Sequence, residues 1–434
     1  MPHDQRRRRL AVWAAALVAL ASLPTPSRAA VLSEDEIEET STELGLVARG
    51  FGFVLAGDVL DRPYNFLEDA SPSATNIFDL RPYFVRRTPH FHLVLHQSLT
   101  SVSRSHSSLG AFAFGRGGTP PRWFPLRHVF GETPTLSLQT ETDWAYAAFI
   151  DGPVTYTIGR QPVTLGRGRI WRPWDLVSTF TLTEVDTEYK PGVDAVRVDV
   201  SPSSSVTITA IGSAGELERD SDFETSPRGS TALGRVSFGF DGGEMALLGG
   251  RVRQDDVLGW SALWALPSFD LYGELSATWF HHDSLSSPAV AGRQVAVPRG
   301  LLGATVKPSS KLTVVPEVYY DGFGAQRKEQ YYAVALSERV AVGEQLVLGQ
   351  LYGGVALDFE AHPLVHITGL AIDNLVDGSA LLSAGVTYDA AANTRLKAGG
   401  YVPVGPKPDP KTLAPRSEFG MFPYFGFAEL EVTL

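Results

Sequence analysis

Four arginines, Arg160, Arg167, Arg169 and Arg172, crowd one stretch of chain with Trp171 and Trp174 interleaved and Asp175 and Asp186 nearby. Guanidinium groups stay charged and grip carboxylate or sulfate through paired hydrogen bonds, while indole faces stack on sugar rings or cations. On a segment folded into a channel, such residues make a constriction that orients anionic or saccharide solutes. At a membrane rim they act otherwise: the tryptophans join the interfacial belt, and the arginines bind lipopolysaccharide phosphates or pair with Asp175 and Asp186. A second cluster, His90, His92 and His96, shares one face of a strand, where neighbours two apart lie about 7 Å apart, within reach of one soft divalent metal. No carboxylate or cysteine in that segment completes a metal site, so the imidazoles read as polar lining and no metal or cofactor is expected. His281-His282 is a weaker pair of the same kind. Enzymatic chemistry is not expected either. There is no Gly-x-Ser-x-Gly elbow, and a lipid-facing hydrolase would need serine beside a histidine held by a third polar group.

The elements that carry these residues alternate with a period of two. Phe91, Leu93 and Leu95 oppose His90, His92, Val94 and His96; Leu136, Leu138, Trp144 and Tyr146 oppose Ser137, Gln139, Glu141 and Asp143. Val196, Val198 and Val200 face away from Arg197 and Asp199, and Val236, Phe238 and Phe240 from Arg235 and Ser237. Phe269, Leu271, Leu275 and Trp279 oppose Asp270, Tyr272, Glu274, Ser276 and Thr278, while Leu312, Val314, Val318 and Tyr320 oppose Thr313, Glu317 and Tyr319. The last residues put Tyr424, Ala428, Leu430, Val432 and Leu434 opposite Glu429, Glu431 and Thr433. An apolar face toward lipid and a polar face toward water is what a closed membrane barrel requires, because no open sheet edge survives in hydrocarbon. A soluble sandwich would bury both faces of many strands, and a propeller would show a blade-length repeat, which is missing.

Residues 1–29 read as a secretory signal: Arg6 to Arg9, an apolar run from Leu10 to Leu23, then Ser27-Arg28-Ala29 with cleavage after Ala29. The apolar run is shorter than the roughly 20 residues of a spanning helix. Net charge at pH 7 is −11, and it falls to −15 once the five arginines and one aspartate of residues 1–29 are removed. So acidic an exported chain is no nucleic-acid binder. With no cysteine, closure of a hydrogen-bonded sheet has to replace disulfides.

Tight connections are expected at Asp151-Gly152-Pro153, Ser201 to Ser204, Asp241-Gly242-Gly243, Pro267-Ser268, Pro308 to Ser310, Glu360 to Pro363 and Ala391 to Asn393. Longer ones fall at 104–134, 162–191, 214–229, 282–298, 322–344 and 404–418. Short and long alternate as periplasmic turns and extracellular loops do. The expectation is one all-β domain over 30–434, an antiparallel up-and-down transmembrane barrel of about 18 strands, or 16 if the first pair is outside the wall. Its first strand lies near 44–57, its second near 78–86 and its last over 420–434. Gln330 to Gly343 reads as a helix in a loop or an extra strand.

The segment Ile158-Gly159-Arg160-Gln161, then Gly166-Arg167-Gly168-Arg169, then Gly192-Val193-Asp194-Ala195-Val196-Arg197, resembles the porin-like barrels of the alginate-export and related outer-membrane families. That resemblance covers residues 153–200 and implies a channel-type barrel. An alginate exporter also implies a strongly cationic lumen, whereas the inward faces here carry Glu141, Asp143, Asp199, Asp270, Glu274, Glu317, Glu429 and Glu431 beside Arg197 and Arg235. By parity Arg160 follows Tyr156 and Ile158 outward, unless Gly159 hosts a bulge or the strand has reached the headgroups.

Together these features predict an outer-membrane channel for passive diffusion of small hydrophilic solutes, with loop 166–191 as the constriction. The competing reading is a structural, adhesion or assembly barrel plugged by its own loops. Expected partners are membrane lipid, lipopolysaccharide and small solutes, with the barrel-assembly machinery met through the C-terminal strand. Leu434 departs from the aromatic residue that usually ends such a strand, and homo-oligomerisation is left open.

Overall fold

The computed structural model describes residues 40–56, 73–105, 120–178, 189–218, 225–281, 284–290, 296–409 and 411–434. The signal segment 1–29, Asp186 and His282 lie outside them. The chain forms β1 (Ser41–Ala56), β2 (Ser73–Thr88), β3 (Phe91–Arg104), β4 (Arg127–Thr133), β5 (Leu136–Asp151), β6 (Val154–Gln161), β7 (Val193–Ser203) and β8 (Val206–Ser213). A two-residue pair follows, β9 (Leu217–Glu218) and β10 (Thr225–Ser226). Then come β11 (Thr231–Phe240), β12 (Gly243–Val252), β13 (Asp255–Ala265), β14 (Phe269–Trp279), β15 (Val297–Ser309) and β16 (Leu312–Asp321). Last are β17 (Leu351–His362), β18 (Val365–Asn374), β19 (Ser379–Ala391), β20 (Thr394–Val404) and β21 (Tyr424–Thr433). Leaving out β4, β9 and β10, eighteen strands pair antiparallel in chain order, and β1 closes the ring on β21 with Val47 opposite Thr433 and Ala56 opposite Tyr424.

Every tight turn expected from the sequence joins two wall strands at one end of the barrel, which is therefore the periplasmic end. The long connections sit at the other end. Two short turns join them there, Val252 to Asp255 and Asn374 to Ser379. The first holds Arg253 and Gln254 at φ of 47° and 76°, the left-handed pair that matches strand twist in a two-residue hairpin. The 330–343 stretch resolves as two short helices, α1 (Tyr331–Ala335) and α2 (Glu338–Ala341), inside the extracellular connection 322–350.

Outward positions carry exposed large apolar side chains, among them Ile158, Leu258, Leu275, Leu302 and Val318. In water this would be a liability; facing acyl chains it is the fold's main contact with its solvent. The exception is β5. Its register against β3 runs His96 to Trp144 but Gln97 to Thr142, so Asp143 is an extra, bulged residue. One added residue reverses parity. Ser137, Gln139 and Glu141 face inward above it as expected, but below it Trp144 and Tyr146 also turn inward rather than to lipid. Trp144 packs at a tilt against His96, with ring centroids 4.6 Å apart, and donates its indole N–H to the Lys190 carbonyl at 2.9 Å. β4 pairs only with β5, prolonging the wall beyond the end of β6.

Candidate functional site

The connection between β6 and β7, described over 162–178 and 189–192, folds into the bore. Val163, Leu165, Trp174, Leu176 and Val177 pack on Val193, Ala195, Ile211, Leu233, Ala246, Leu248, Val252 and Val257, from β7, β8 and β11 to β13. Farther round, Trp171 stacks on Tyr319 of β16, with centroids 5.6 Å apart and planes 18° apart, and lies 6.1 Å from Tyr352 of β17. Each tryptophan sits over a glycine of the wall. A Cβ on Gly259 would stand 2.9 Å from the Trp174 ring, and one on Gly354 2.7 Å from the Trp171 ring.

Wall carboxylates satisfy the loop's backbone. Glu317 accepts the N–H groups of Arg169 at 2.6 Å and of Ile170 and Trp171 at 3.0 Å, together with the Tyr272 hydroxyl at 2.6 Å. Glu274 accepts the Arg167 N–H, and the Trp174 indole donates to the Leu275 carbonyl at 3.2 Å. A loop inside a barrel has no water to meet all its amides, so these acceptors are a condition of its staying there. At the neck, Asp175 accepts the Leu165 and Gly166 N–H groups at 2.8 and 2.9 Å and the Lys190 ammonium at 2.7 Å. Burial pushes the Lys190 ammonium below its ordinary value, against the pull of Asp175. The adjacent Tyr189 ring lies under the guanidinium groups of Arg49 and Arg81, 4.6 and 4.5 Å from its centroid.

The residues expected at the constriction thus divide. Trp171, Trp174 and Asp175 are buried and serve as the loop's anchors. Arg160 is 2% exposed and joined to Asp194 at 2.8 Å and to the carbonyls of Thr142 and Phe124. Gly159 sits there with φ of 119° and the register does not slip; Arg160 is not exposed to lipid but buried between Asp194 and those two carbonyls. Arg167 pairs with Glu244, which also takes Arg235 at 2.7 Å. Arg169 is exposed and makes no ion pair among the described residues, and Arg172 is about one third exposed, 3.9 Å from Asp175.

The expected lining divides as well. Glu274 and Glu317 point inward but lie beneath the loop. Asp143 pairs with Arg81 at 2.7 Å, Arg197 with Asp199 at 2.7 Å, Glu429 with Lys397 at 3.5 Å and Glu431 with Arg49 at 2.7 Å. Gln139 and Glu141 stand near the extracellular mouth, bonded to Arg127 and Arg122. Asp270 is half-buried near the periplasmic turn, at the start of β14. Of the histidines, His96 is stacked on Tyr83 and packs at a tilt against Trp144, His92 is half-buried, and His90 is exposed in the turn between β2 and β3, a correction to its expected place on the strand. Among the described residues no group of three His, Cys, Asp or Glu is placed to hold a metal.

Sequence reasoning missed Arg49, Arg81 and Tyr189, and also an inward patch of Phe51, Phe53, Phe425 and Phe427. The signal for the patch was partly present: Phe-Gly-Phe occurs three times, and two of the copies lie on strands that prove to be neighbours. Also unforeseen is the Glu344 cluster, which ties connection 322–350 down through Arg339 at 2.6 Å, Arg299 at 2.7 Å and Arg253 at 3.3 Å. Burial opposes ionisation of Glu344, but the three guanidinium groups outweigh it and hold the carboxyl at about 2.

No family model matches the sequence, and no curated protein matches it in sequence. Solved structures do match in shape. OccAB1 of Acinetobacter baumannii superposes with a TM-score of 0.52 at 8% identity, over 92% of this chain and 99% of that one. OpdL of Pseudomonas aeruginosa gives 0.52 at 12%, over 91% and 98%, and a BenF-like porin from Pseudomonas fluorescens Pf-5 gives 0.50 at 10%, over 91% and 98%. At such identities the likeness carries the fold alone: a closed 18-strand, porin-like β-barrel. It supports that part of the resemblance drawn from residues 153–200 and does not reach alginate export.

Proposed function

We propose that this barrel is a passive channel for small hydrophilic solutes, narrowed by the 162–192 connection. One observation carries the reading. The loop is fixed inside the bore by glycine-seated tryptophans and by wall carboxylates that meet its amides, which leaves Arg169 as its exposed charged side chain. A barrel of about 18 strands encloses an aqueous path unless its loops fill it. The paired lumenal charges, with acids on every side, favour small solutes of modest charge over a polyanion such as alginate. A loop-plugged structural barrel is the second reading, and the buried Glu344 cluster favours it by clamping 322–350 at the extracellular mouth. Insertion through the barrel-assembly machinery would use β21, beyond which Leu434 exchanges two backbone hydrogen bonds with Leu46, at 2.8 and 2.9 Å.

Single-channel recording of the refolded mature chain in a planar bilayer tests both readings. Stable open steps support the channel, and a folded barrel with no conductance supports the plug. In the channel, Arg169→Glu should move the reversal potential under a salt gradient toward cation preference; an unchanged potential removes Arg169 from the constriction.

A further inference from the structure

We propose that the lumenal face of β1, β20 and β21 is a binding track for neutral saccharide rings. Phe51 and Phe53 on β1 meet Phe425 and Phe427 on β21, with Phe51–Phe53 centroids 5.6 Å apart, Phe51–Phe427 5.9 Å, Phe53–Phe425 5.4 Å and Phe425–Phe427 5.8 Å. Tyr401 on β20 extends the row, 5.5 Å from Phe425. Their inward direction is fixed by parity with Arg49 and Glu431, which bond across the same strand pair on the same face. Gly399 stands beside Phe427, where a Cβ would come within 3.0 Å of the ring. Phe51, Phe53 and Phe427 all keep part of their surface exposed. Flat apolar faces left uncovered in a bore are costly unless a partner with apolar C–H faces stacks on them.

The charges beside the patch identify that partner. Arg49 pairs with Glu431 at 2.7 Å, Lys397 with Glu429 at 3.5 Å, and Arg395 lies 3.0 Å from Asp389 and 3.9 Å from Glu431. Among the described residues these three cations stand against three carboxylates, Glu429, Glu431 and Asp389, a balance that does not select an ion. The neighbourhood does offer strong donors and acceptors side by side. A pyranose has apolar ring faces for the phenylalanines and a rim of hydroxyls that both donate and accept, whereas a charged solute would have to compete for groups already neutralised.

The proposal rests on the channel reading, and the two can fail separately. A neutral oligosaccharide is added to the full mature chain recorded in a planar bilayer, with a linear polyol of similar hydroxyl content as control. The saccharide should interrupt the open current in a concentration-dependent way, and the polyol should not. Phe427→Ala should weaken the block about fivefold while leaving the sugar-free conductance in place. Phe427→Leu, which keeps apolar volume and loses the flat face, should weaken it nearly as much and guards against misfolding of the alanine variant. Channels without sugar-dependent block, equal block by the polyol, or block unchanged in both variants would each overturn the track. If the folded chain shows no channel at all, the channel reading fails alone. Calorimetric titration of the same saccharide into the detergent-folded chain then decides: binding that is lost in the Phe427 variants keeps the track, and no binding removes it.

Discussion

Glu418, in the connection before β21, shows how much one buried group can control. Its carboxylate accepts from the Leu348 N–H at 2.9 Å, from the Asn374 amide at 2.7 Å and from the Tyr352 hydroxyl, and its own N–H donates to Asp377 at 2.7 Å. Three extracellular connections therefore meet at this residue. Burial pushes its carboxyl up to about 7, Asp377 adds to the rise, and the bonds from Tyr352, Leu348 and Asn374 oppose it. A carboxyl whose folded pKa lies above its unfolded value stabilises the folded state fully at low pH and loses that contribution as pH rises through the folded value. Protease nicking within 405–423 should accordingly be faster at about pH 8.5 than at about pH 5.5, and Glu418→Gln should flatten the difference. A pH-independent rate in the native chain would show that the latch does not titrate.

Arg160 makes the complementary case of a buried charge with its partner in place. Asp194→Asn leaves that guanidinium in the wall without its counter-charge, which costs about 3–5 kcal/mol when a buried pair is broken. The urea midpoint of the heat-modifiable folded band should fall clearly, and an unchanged midpoint would mean that the pair is neutral to stability. None of this geometry was legible locally, because Asp194 is 34 residues from Arg160 and Glu418 is 44 from Asn374.

At the scale of the element, the turns and most of the faces were legible because both follow short-range rules. Gly, Pro, Asn and Ser mark where the chain reverses, and side chains alternate between the strand turns. The reading failed where one residue broke the count. Asp143 is an ordinary inward acid in the sequence, and nothing near it announces a bulge, so Trp144 and Tyr146 were assigned to lipid. Placement of the inward loop was legible in composition but not in mechanism. Its tryptophans looked like a solute surface and are instead its fasteners, each requiring a bare glycine on a strand far away in sequence. Gly354→Val should therefore lift Trp171 off Tyr319 without disturbing the wall, since the change lies on the lumenal face. Its expected signature is a folded barrel with Trp fluorescence shifted to the red and a larger, noisier conductance. Wild-type emission with wild-type conductance would show that the loop tolerates the loss of its seat.

For the whole molecule, stability depends on a single seam. Seventeen of the eighteen wall contacts join wall strands that follow one another in the chain; the eighteenth, β1 with β21, joins the first wall strand to the last. Until it forms, both strands present unpaired N–H and C=O groups, which hydrocarbon does not tolerate. With no cysteine in the chain, no covalent link shares that task. The seam's outermost bonds are those between Leu434 and Leu46, so the identity of the last residue bears on how readily β21 is held while β1 arrives. An aromatic ring there would sit at the periplasmic interface, where its amphipathic edge is favoured over an aliphatic chain. Leu434→Phe should raise the heat-modifiable folded fraction at a fixed time after insertion begins, while the final unfolding midpoint stays close to wild type, since the change aids capture of the strand more than the finished ladder. Equal folded fractions at every time would place the slow step elsewhere, in the docking of the 162–192 loop, whose contacts run from β7 to β17 and also reach Arg49 of β1 and Arg81 of β2.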